Sequence, residues 1–127
     1  MENKPICIID KYGNKEWILD GEKHREDGPA VEYADGSYEW WVNGEIHHEG
    51  GPAAYYKHNN KIHQYWYSYG KIHRFDGPAV IKTNDTPRWW INNFDVTLKI
   101  TKWAIDNEID LDNLSEVDIA LIKITFT

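Results

Sequence analysis

Short segments in which aromatic and polar residues alternate fill the first 95 residues of the chain, and turn-forming dipeptides separate them. Asn43-Gly44 is the strongest hairpin signal, because a type I′ turn needs a positive φ at both central residues. Asp20-Gly21 and Asp35-Gly36 predict turns of the same kind. The segments between turns are short and rich in Tyr, Trp, Val and Ile, so the pattern predicts a meander of short antiparallel strands.

A repeat organises these segments. The tripeptide Gly-Pro-Ala occurs three times, at spacings of 23 and 26 residues, and a Gly-x-x-His motif precedes each copy by the same distance. A fourth copy starts at Trp89 and stops after Asn93, which makes about three and a half repeats with two predicted strands in each complete one. The aligned columns are Gly28, Gly51 and Gly77; His24, His47 and His73; Trp17, Trp40, Trp66 and Trp89; and Ile18, Trp41, Tyr67 and Trp90.

The Trp column predicts how the two faces of the sheet differ. Strand alternation places Tyr38, Trp40 and Val42 on one face, and Glu39 and Trp41 on the other. We therefore expect a ladder of stacked indole rings along the first face. Since the second face is partly aromatic as well, two interpretations stay open, a covered core or an exposed aromatic face that binds a partner.

A change of pattern marks the C-terminal part. Val96, Ile100 and Trp103 follow helical spacing, and Thr97 is the predicted N-cap. Ser115 and Asp118 resemble a capping box ahead of a second helix, whose predicted apolar stripe consists of Val117, Ala120, Leu121 and Ile124. The sequence thus predicts a mainly β fold, with an antiparallel β-hairpin repeat meander over residues 1–95 and a small α-helical cap over residues 96–127 that packs on the array.

Charge is unevenly distributed along the chain. Residues 1–50 carry twelve acids and five bases, residues 51–103 carry three acids and eight bases, and residues 104–127 carry six acids and one base. This distribution argues against duplex nucleic acid as a partner and favours a local anion site in the middle segment. A three-residue insertion there, within residues 57–63, is basic and rich in His, and insertions in repeat arrays often form binding loops.

Cysteine content and hydropathy bear on location. The single Cys7 excludes an internal disulfide, and its apolar neighbours predict a buried structural thiol. No apolar run reaches membrane-spanning length and no secretory leader pattern is present, so we expect a cytoplasmic protein without a membrane partner.

The repeat resembles a known family. Trp41-x-x-Gly44 and the 23-residue period are similar to MORN-type β-hairpin repeats, and the pattern from Gly70 through His73-Arg74 to Gly77-Pro78-Ala79-Val80 looks like a divergent set from tailed phages and giant viruses. The second repeat departs from that set at His48 and Gly50. The resemblance implies a phage accessory or anti-defence protein in the host cytoplasm, with lipid or protein binding as the family's associated activities. It supplies no catalytic residues.

The histidines offer little metal or catalytic chemistry. His24, His47 and His73 occupy successive repeats, about 10 Å apart, which is too far to share one ion. We expect each to bond the backbone of a neighbouring turn, and we expect no metal and no cofactor. His58 and His63 in the insertion are the candidates for a hydrolase, although we expect a non-enzymatic protein.

A combined anion and aromatic site is the leading functional hypothesis, because flat rings stack on nucleobases and cations bind phosphates. The ligand would be a small anion such as a host signalling nucleotide. The alternative is a protein–protein interaction or self-assembly module that binds a host protein or forms a homo-oligomer, and a third interpretation treats the rings as core and the charges as solvated. The candidate ligand-binding residues are Lys57, His58, Lys61, His63, Tyr65, Trp66, Tyr67, Tyr69, Lys71, Arg74, Arg88, Trp89 and Trp90.

Overall fold

The computed structural model describes residues 3–127, and the fold of these residues is mainly antiparallel β, as the sequence predicts. They form fourteen short strands and then two helices. The strands are β1 (Ile6–Ile9), β2 (Lys15–Leu19), β3 (Glu22–Lys23), β4 (Val31–Glu32), β5 (Tyr38–Glu39), β6 (Trp41–Val42), β7 (Glu45–Ile46), β8 (Ala54–His58), β9 (Lys61–Tyr65), β10 (Tyr67–Ser68), β11 (Lys71–Ile72), β12 (Val80–Lys82), β13 (Trp90–Ile91) and β14 (Phe94–Asp95). The helices are α1 (Thr97–Asp106) and α2 (Glu116–Phe126).

One main sheet and three small hairpins build the array. The main sheet has the order β1-β2-β4-β5-β8-β9-β12, with β3 also paired to β2, and its pairs are all antiparallel. Three separate hairpins, β6–β7, β10–β11 and β13–β14, lie outside this sheet. The prediction of two strands per repeat is therefore too simple, because the chain leaves the main sheet at Trp40 and Trp66 and enters a small hairpin immediately afterwards.

The Trp column lies where the chain passes from the main sheet to the hairpins. The Trp17 N–H donates to the Ala30 carbonyl at 2.8 Å, and its own carbonyl accepts from the His24 N–H. The same pair of bonds recurs around Trp40 and Trp66, which donate to Ala53 and Ala79. The alanines are fully buried, so the small side chain of Gly-Pro-Ala lets two backbone segments approach closely. The Trp column thus links the main sheet to the small hairpins.

The turns follow the glycine and asparagine pattern. Asn43 and Gly44 have φ values of 49° and 78°, and Asp20-Gly21 has the same form, which confirms both predicted type I′ turns. The prediction was wrong for Asp35-Gly36, where only Gly36 has a positive φ, of 92°. There the Gly36 N–H donates to the Tyr33 carbonyl, and the hairpin closes through a three-residue loop instead.

The insertion lengthens a hairpin and does not form an irregular loop. Lys57 and His58 continue β8, Lys61–Tyr65 is β9, and the two strands pair over five residues. Asn59 and Asn60 form the tip, with φ values of 47° and 64°. The extra residues therefore extend this hairpin beyond its counterpart β4–β5.

The apolar core lies at the C-terminal end of the array. Trp89, Ile91, Val96, Ile100 and Ile122 form one buried cluster, and Trp103 and Phe126 meet edge to face beside it at 5.5 Å. The prediction of Thr97 as the N-cap of α1 was wrong: Val96 is the N-cap, Thr97 is the first helical residue, and its hydroxyl accepts the Trp89 N–H at 2.9 Å. That hydroxyl takes the place of the Ala carbonyl in earlier copies, so the cap ends the repeat by supplying the missing acceptor.

Helix α2 presents the opposite face from the one predicted. Its capping box between Ser115 and Asp118 is confirmed. The predicted stripe is exposed, however, since Val117 and Ile124 keep 67% and 76% of their surface accessible, while Ile122 is fully buried. The helix is apolar on both sides, so periodicity could not tell which side faces the core.

Strand β1 is an exposed edge. All four of its residues are exposed, including Cys7, so the prediction of a buried thiol was wrong. The cause is that β1 pairs only with β2 among residues 3–127 and that all four of its side chains stay largely accessible. Neither helix of the described chain combines the length and apolar character needed to cross a membrane.

Candidate functional site: a groove between two Gly-Pro-Ala loops

The first and third Gly-Pro-Ala loops are closed by a stacked arginine. The Arg25 guanidinium lies over the Trp17 ring at 3.8 Å, and Arg74 lies over Trp66 at 4.1 Å. Each arginine bonds the aspartate two residues later and donates to the carbonyl of the loop proline. A Cβ added at Gly77 would lie 2.6 Å from Arg74 Cζ, so this glycine gives the guanidinium its place.

The second loop is built differently. His48 replaces the arginine and stacks on Trp40, with ring centroids 3.8 Å apart and planes inclined by 5°. Its Nδ1 lies 3.3 Å from the Pro52 carbonyl oxygen. Gly50 stands where the other loops have an aspartate. The loop therefore lacks both the permanent positive charge and the carboxylate that close its neighbours.

A groove of about 830 Å³ opens beside this loop, and we call it the inter-loop groove. Its walls are residues 47–52 of the second repeat, residues 66–68 and 73–76 of the third repeat, and Ile119 and Lys123 of α2. A Cβ at Gly50 or Gly51 would have no neighbour closer than 3.6 Å, an ordinary van der Waals distance, so a side chain would fit at either position without a clash. The Lys123 ammonium, 5.7 Å from the Phe75 ring centroid, brings in a positive charge from the cap.

The repeated histidines join neighbouring copies, as expected. Nδ1 of His24 accepts the Asn43 N–H, that of His47 accepts the Tyr69 N–H, and that of His73 accepts the Asn92 N–H, at distances of 2.9–3.1 Å. Each acceptor bonds the tight turn of the next repeat's small hairpin. No group of three or more His, Cys, Asp or Glu side chains within residues 3–127 is arranged to hold a metal ion.

Burial changes the ionisation of two groove residues. Burial lowers the pKa of the His73 imidazole, which favours the neutral ring that accepts the Asn92 bond. Burial also raises the pKa of the Tyr67 hydroxyl, with smaller contributions from Tyr65 and Glu39. At neutral pH the groove therefore presents an un-ionised phenol and a neutral imidazole beside the charges of Arg74 and Lys123.

Glu39 anchors a polar cluster on the main sheet. Its carboxylate accepts from the Trp41 indole N–H at 2.9 Å and from the Tyr33 and Tyr56 hydroxyls. The pKa of the Tyr56 hydroxyl is strongly raised, first by burial and second by its hydrogen bond to Glu39. All buried side-chain polar atoms of the described residues have a partner, so this cluster is a satisfied structural network.

The structure distributes the predicted ligand-binding residues over several places. Trp66, Tyr67 and Arg74 line the inter-loop groove. Lys57, His58 and Lys61 lie together at the tip of the β8–β9 hairpin, and His63 and Tyr65 follow in β9. Arg88 forms an ion pair with Asp95 at 2.6 Å, and Trp89 belongs to the core. Tyr69 stacks on His47 with centroids 3.9 Å apart, while Lys71 and Trp90 belong to the small hairpins β10–β11 and β13–β14.

Several groove residues are not among those predicted from the sequence. The sequence does distinguish Gly50 and Gly51, because they belong to the only Gly-Pro-Ala copy that lacks the preceding aspartate. No sequence pattern indicated Lys123 and Ile119, because they lie in α2 and only packing decides how that helix is oriented. A comparison with models of protein families, with curated proteins and with solved structures found no match to this chain.

Proposed function

We propose that the protein is a non-enzymatic binding protein that holds a small anionic ligand with a flat ring, such as a signalling nucleotide, in the inter-loop groove. The observation that carries the proposal is the break in the repeat at His48 and Gly50, because the groove opens beside the one loop that lacks the arginine–aspartate pair. The resemblance of the repeats favours an accessory role of phage type, directed against a host defence signal.

The chemistry of the walls supports an anion with a ring. Lys123 offers an ammonium group to the same groove that Gly50 and Gly51 line. The half-buried rings of Tyr67 and Phe75 line the same groove, and stacking of a base on an aromatic ring contributes about 1–3 kcal/mol. Arg74 contributes its positive potential but is held by Trp66 and Asp76.

Calorimetric titration with a panel of mono-, di- and cyclic nucleotides tests this proposal. We expect heat of binding from at least one nucleotide, and a loss of about tenfold in affinity for Lys123→Gln, which removes one phosphate contact. Lys102→Gln is the matched control, because Lys102 is an exposed lysine of α1 outside the groove. Folded protein that gives no heat with any nucleotide would remove the nucleotide hypothesis.

A repeat-restoring variant sharpens the test. The double substitution His48→Arg and Gly50→Asp gives the second loop the pair that closes the other two, while Gly51 keeps the space that a guanidinium needs. We expect the fold to persist and binding to disappear. Undiminished binding by this variant would show that the ligand lies elsewhere.

A protein partner is the second candidate function. It is favoured by the exposed stripe of α2, where Val117, Leu121 and Ile124 follow one another at helical spacing and keep 67%, 41% and 76% of their surface accessible. Substituting Ile124 by Glu should abolish such an interaction and leave nucleotide binding unchanged, which separates the two functions.

A further inference from the structure

The two edges of the main sheet differ in how they are protected. At one edge, Val80 of β12 forms an additional bridge with Arg88, and Lys82 places a charge on the same strand. The other edge is β1, which has no charged residue between Ile6 and Ile9 and no bridge on its outer side within residues 3–127. Charges and bridges are the usual means by which proteins prevent edge pairing. Strand β1 lacks both.

The backbone of β1 is free to pair on that side. Both the N–H and the carbonyl of Trp17 bond away from β1, to Ala30 and His24. Cys7, which stands opposite Trp17, is therefore a non-hydrogen-bonded position of the β1–β2 pair. Because hydrogen-bonding directions alternate along a strand, the N–H and carbonyl groups of Cys7 and Ile9 point away from β2. The Pro5 carbonyl points the same way.

The side chains of β1 are apolar on both faces. Ile6, Ile8 and Ile9 keep 70%, 55% and 61% of their surface exposed, although the strand is fully paired with β2. Lys4 precedes the strand and Asp10 follows it, so opposite charges flank the apolar run. A strand that is apolar in the middle and oppositely charged at its ends is complementary to itself when the two copies run antiparallel.

We propose that β1 pairs with β1 of a second copy of this chain, antiparallel across a two-fold axis, with Cys7 opposite Cys7. In this register the two Cys7 residues exchange two hydrogen bonds, and each Ile9 N–H donates to the Pro5 carbonyl of the other copy. Ile6 faces Ile8 of the second copy, and Lys4 faces its Asp10. The main sheets of the two copies then form one continuous sheet.

Both hydrogen bonding and charge select this register. Because only alternate residues of β1 point outward, the pairing can shift only in steps of two residues. A shift in one direction places Ile6 opposite Asp10, and a shift in the other places Lys4 opposite Ile8. Either shift loses both charge pairs and sets a charge against an isoleucine.

The expected dimer is weak. One strand from each copy buries less than the about 1,200 Å² typical of stable interfaces, so the dimer should form in a concentration-dependent way. Sedimentation velocity and light scattering over a concentration series of the whole chain measure it. A particle that stays monomeric at the highest concentration would overturn the proposal.

Ile9→Pro is the decisive variant. The Ile9 N–H points away from β2, so proline removes a hydrogen bond of the dimer and none of the β1–β2 pair. We expect Ile9→Pro to be a folded monomer. We expect a second variant, Lys4→Glu, to weaken the dimer by about tenfold, because the new carboxylate of each copy would then face Asp10 of the other. Ile124→Glu, on the exposed stripe of α2, is the matched control and should leave the dimer unchanged. A dimer that survives Ile9→Pro, or that is lost in Ile124→Glu, would place the interface elsewhere.

Crosslinking through the single cysteine tests the register. Cα atoms of a hydrogen-bonded antiparallel pair are about 5.5 Å apart, which brings the two Cys7 thiols close together. Their Cβ atoms are farther apart than the roughly 3.5–4.5 Å that a disulfide needs, so a short bifunctional maleimide is the suitable crosslinker. This reagent should convert the wild-type chain into a covalent dimer. The combined substitution Cys7→Ser and Lys102→Cys moves the thiol to α1, and equal crosslinking by that control would contradict the proposed pairing.

Discussion

In the Trp column, the first three indole rings are each covered by a cationic or imidazole side chain of their own copy, whereas the fourth ring, next to the helical cap, packs among apolar side chains. Trp17, Trp40 and Trp66 lie under Arg25, His48 and Arg74. Trp89 is buried with Ile100 and Ile122. The same residue of the repeat thus takes part in polar stacking in one region and in an apolar core in the other.

The difference shows how a repeat of this kind is stabilised. Successive copies are joined by recurring hydrogen bonds, such as that from the Tyr69 N–H to His47, and fully buried alanines let the backbones approach. The cap adds the cluster of large buried apolar side chains. The array should therefore respond to substitutions that disturb stacking or hydrogen bonds, and the cap to substitutions that create cavities.

The largest effect is expected for Ile122→Ala in the cap. Ile122 is fully buried in the core, so its truncation should lower the free energy of unfolding by about 2–5 kcal/mol. Urea denaturation measures this loss. Ile124→Ala on the exposed side of the same helix is the matched control, and a change there beyond about 0.5 kcal/mol would contradict the orientation of α2.

A smaller effect is expected for Gly77→Ala in the array. The new Cβ would displace the Arg74 guanidinium from Trp66, which should cost about 1–2 kcal/mol in the free energy of unfolding. Gly51→Ala is the matched control at the second loop, where the nearest atom is 3.8 Å away and no loss is expected. In an Arg74→Ala background Gly77→Ala should cost nothing further, and an undiminished cost there would show that stacking is not the cause.

The smallest effect is a dependence on pH carried by His73. Since burial lowers its pKa from the ordinary value of 6.5, the unfolded chain binds a proton more readily than the folded one. The stability that neutral His73 contributes is therefore fully present when the pH is above 6.5, the ordinary pKa. It is lost as the pH falls through the lower pKa of His73 in the folded protein. The array should become less stable on mild acidification because protonated Nδ1 cannot accept the Asn92 N–H.

Urea denaturation at about pH 7.5 and about pH 5.5 checks this dependence. His73→Asn keeps an acceptor but cannot titrate in this range, so the difference in stability between the two pH values should shrink. His58→Asn, at the exposed hairpin tip, should leave the difference as it is in the wild type. An unchanged difference in His73→Asn would rule out His73 as its source.

The sequence predicted features that depend on local backbone chemistry. Asn43-Gly44 indicates a type I′ turn because few residues tolerate its φ values, and Ser115 with Asp118 indicates a capping box because both bonds lie within one helical turn. The equivalent histidines were correctly expected to bond neighbouring turns, since their repeated position placed them beside the next hairpin. The mainly β fold with a helical end followed from these patterns.

Only tertiary structure decided which side of an element is covered. Helix α2 carries apolar residues on both sides, and its packing against Ile100 buries Ile122 and leaves Ile124 exposed. Cys7 lies in an apolar run, yet β1 is an edge with no layer over it. Arg74 resembled a free cation in the sequence, but Trp66 and Asp76 hold it, and Lys123 reaches the groove from a helix about fifty residues away. The contacts of α2 with the core and the groove join residues distant in the chain, and local periodicity contains no information about them.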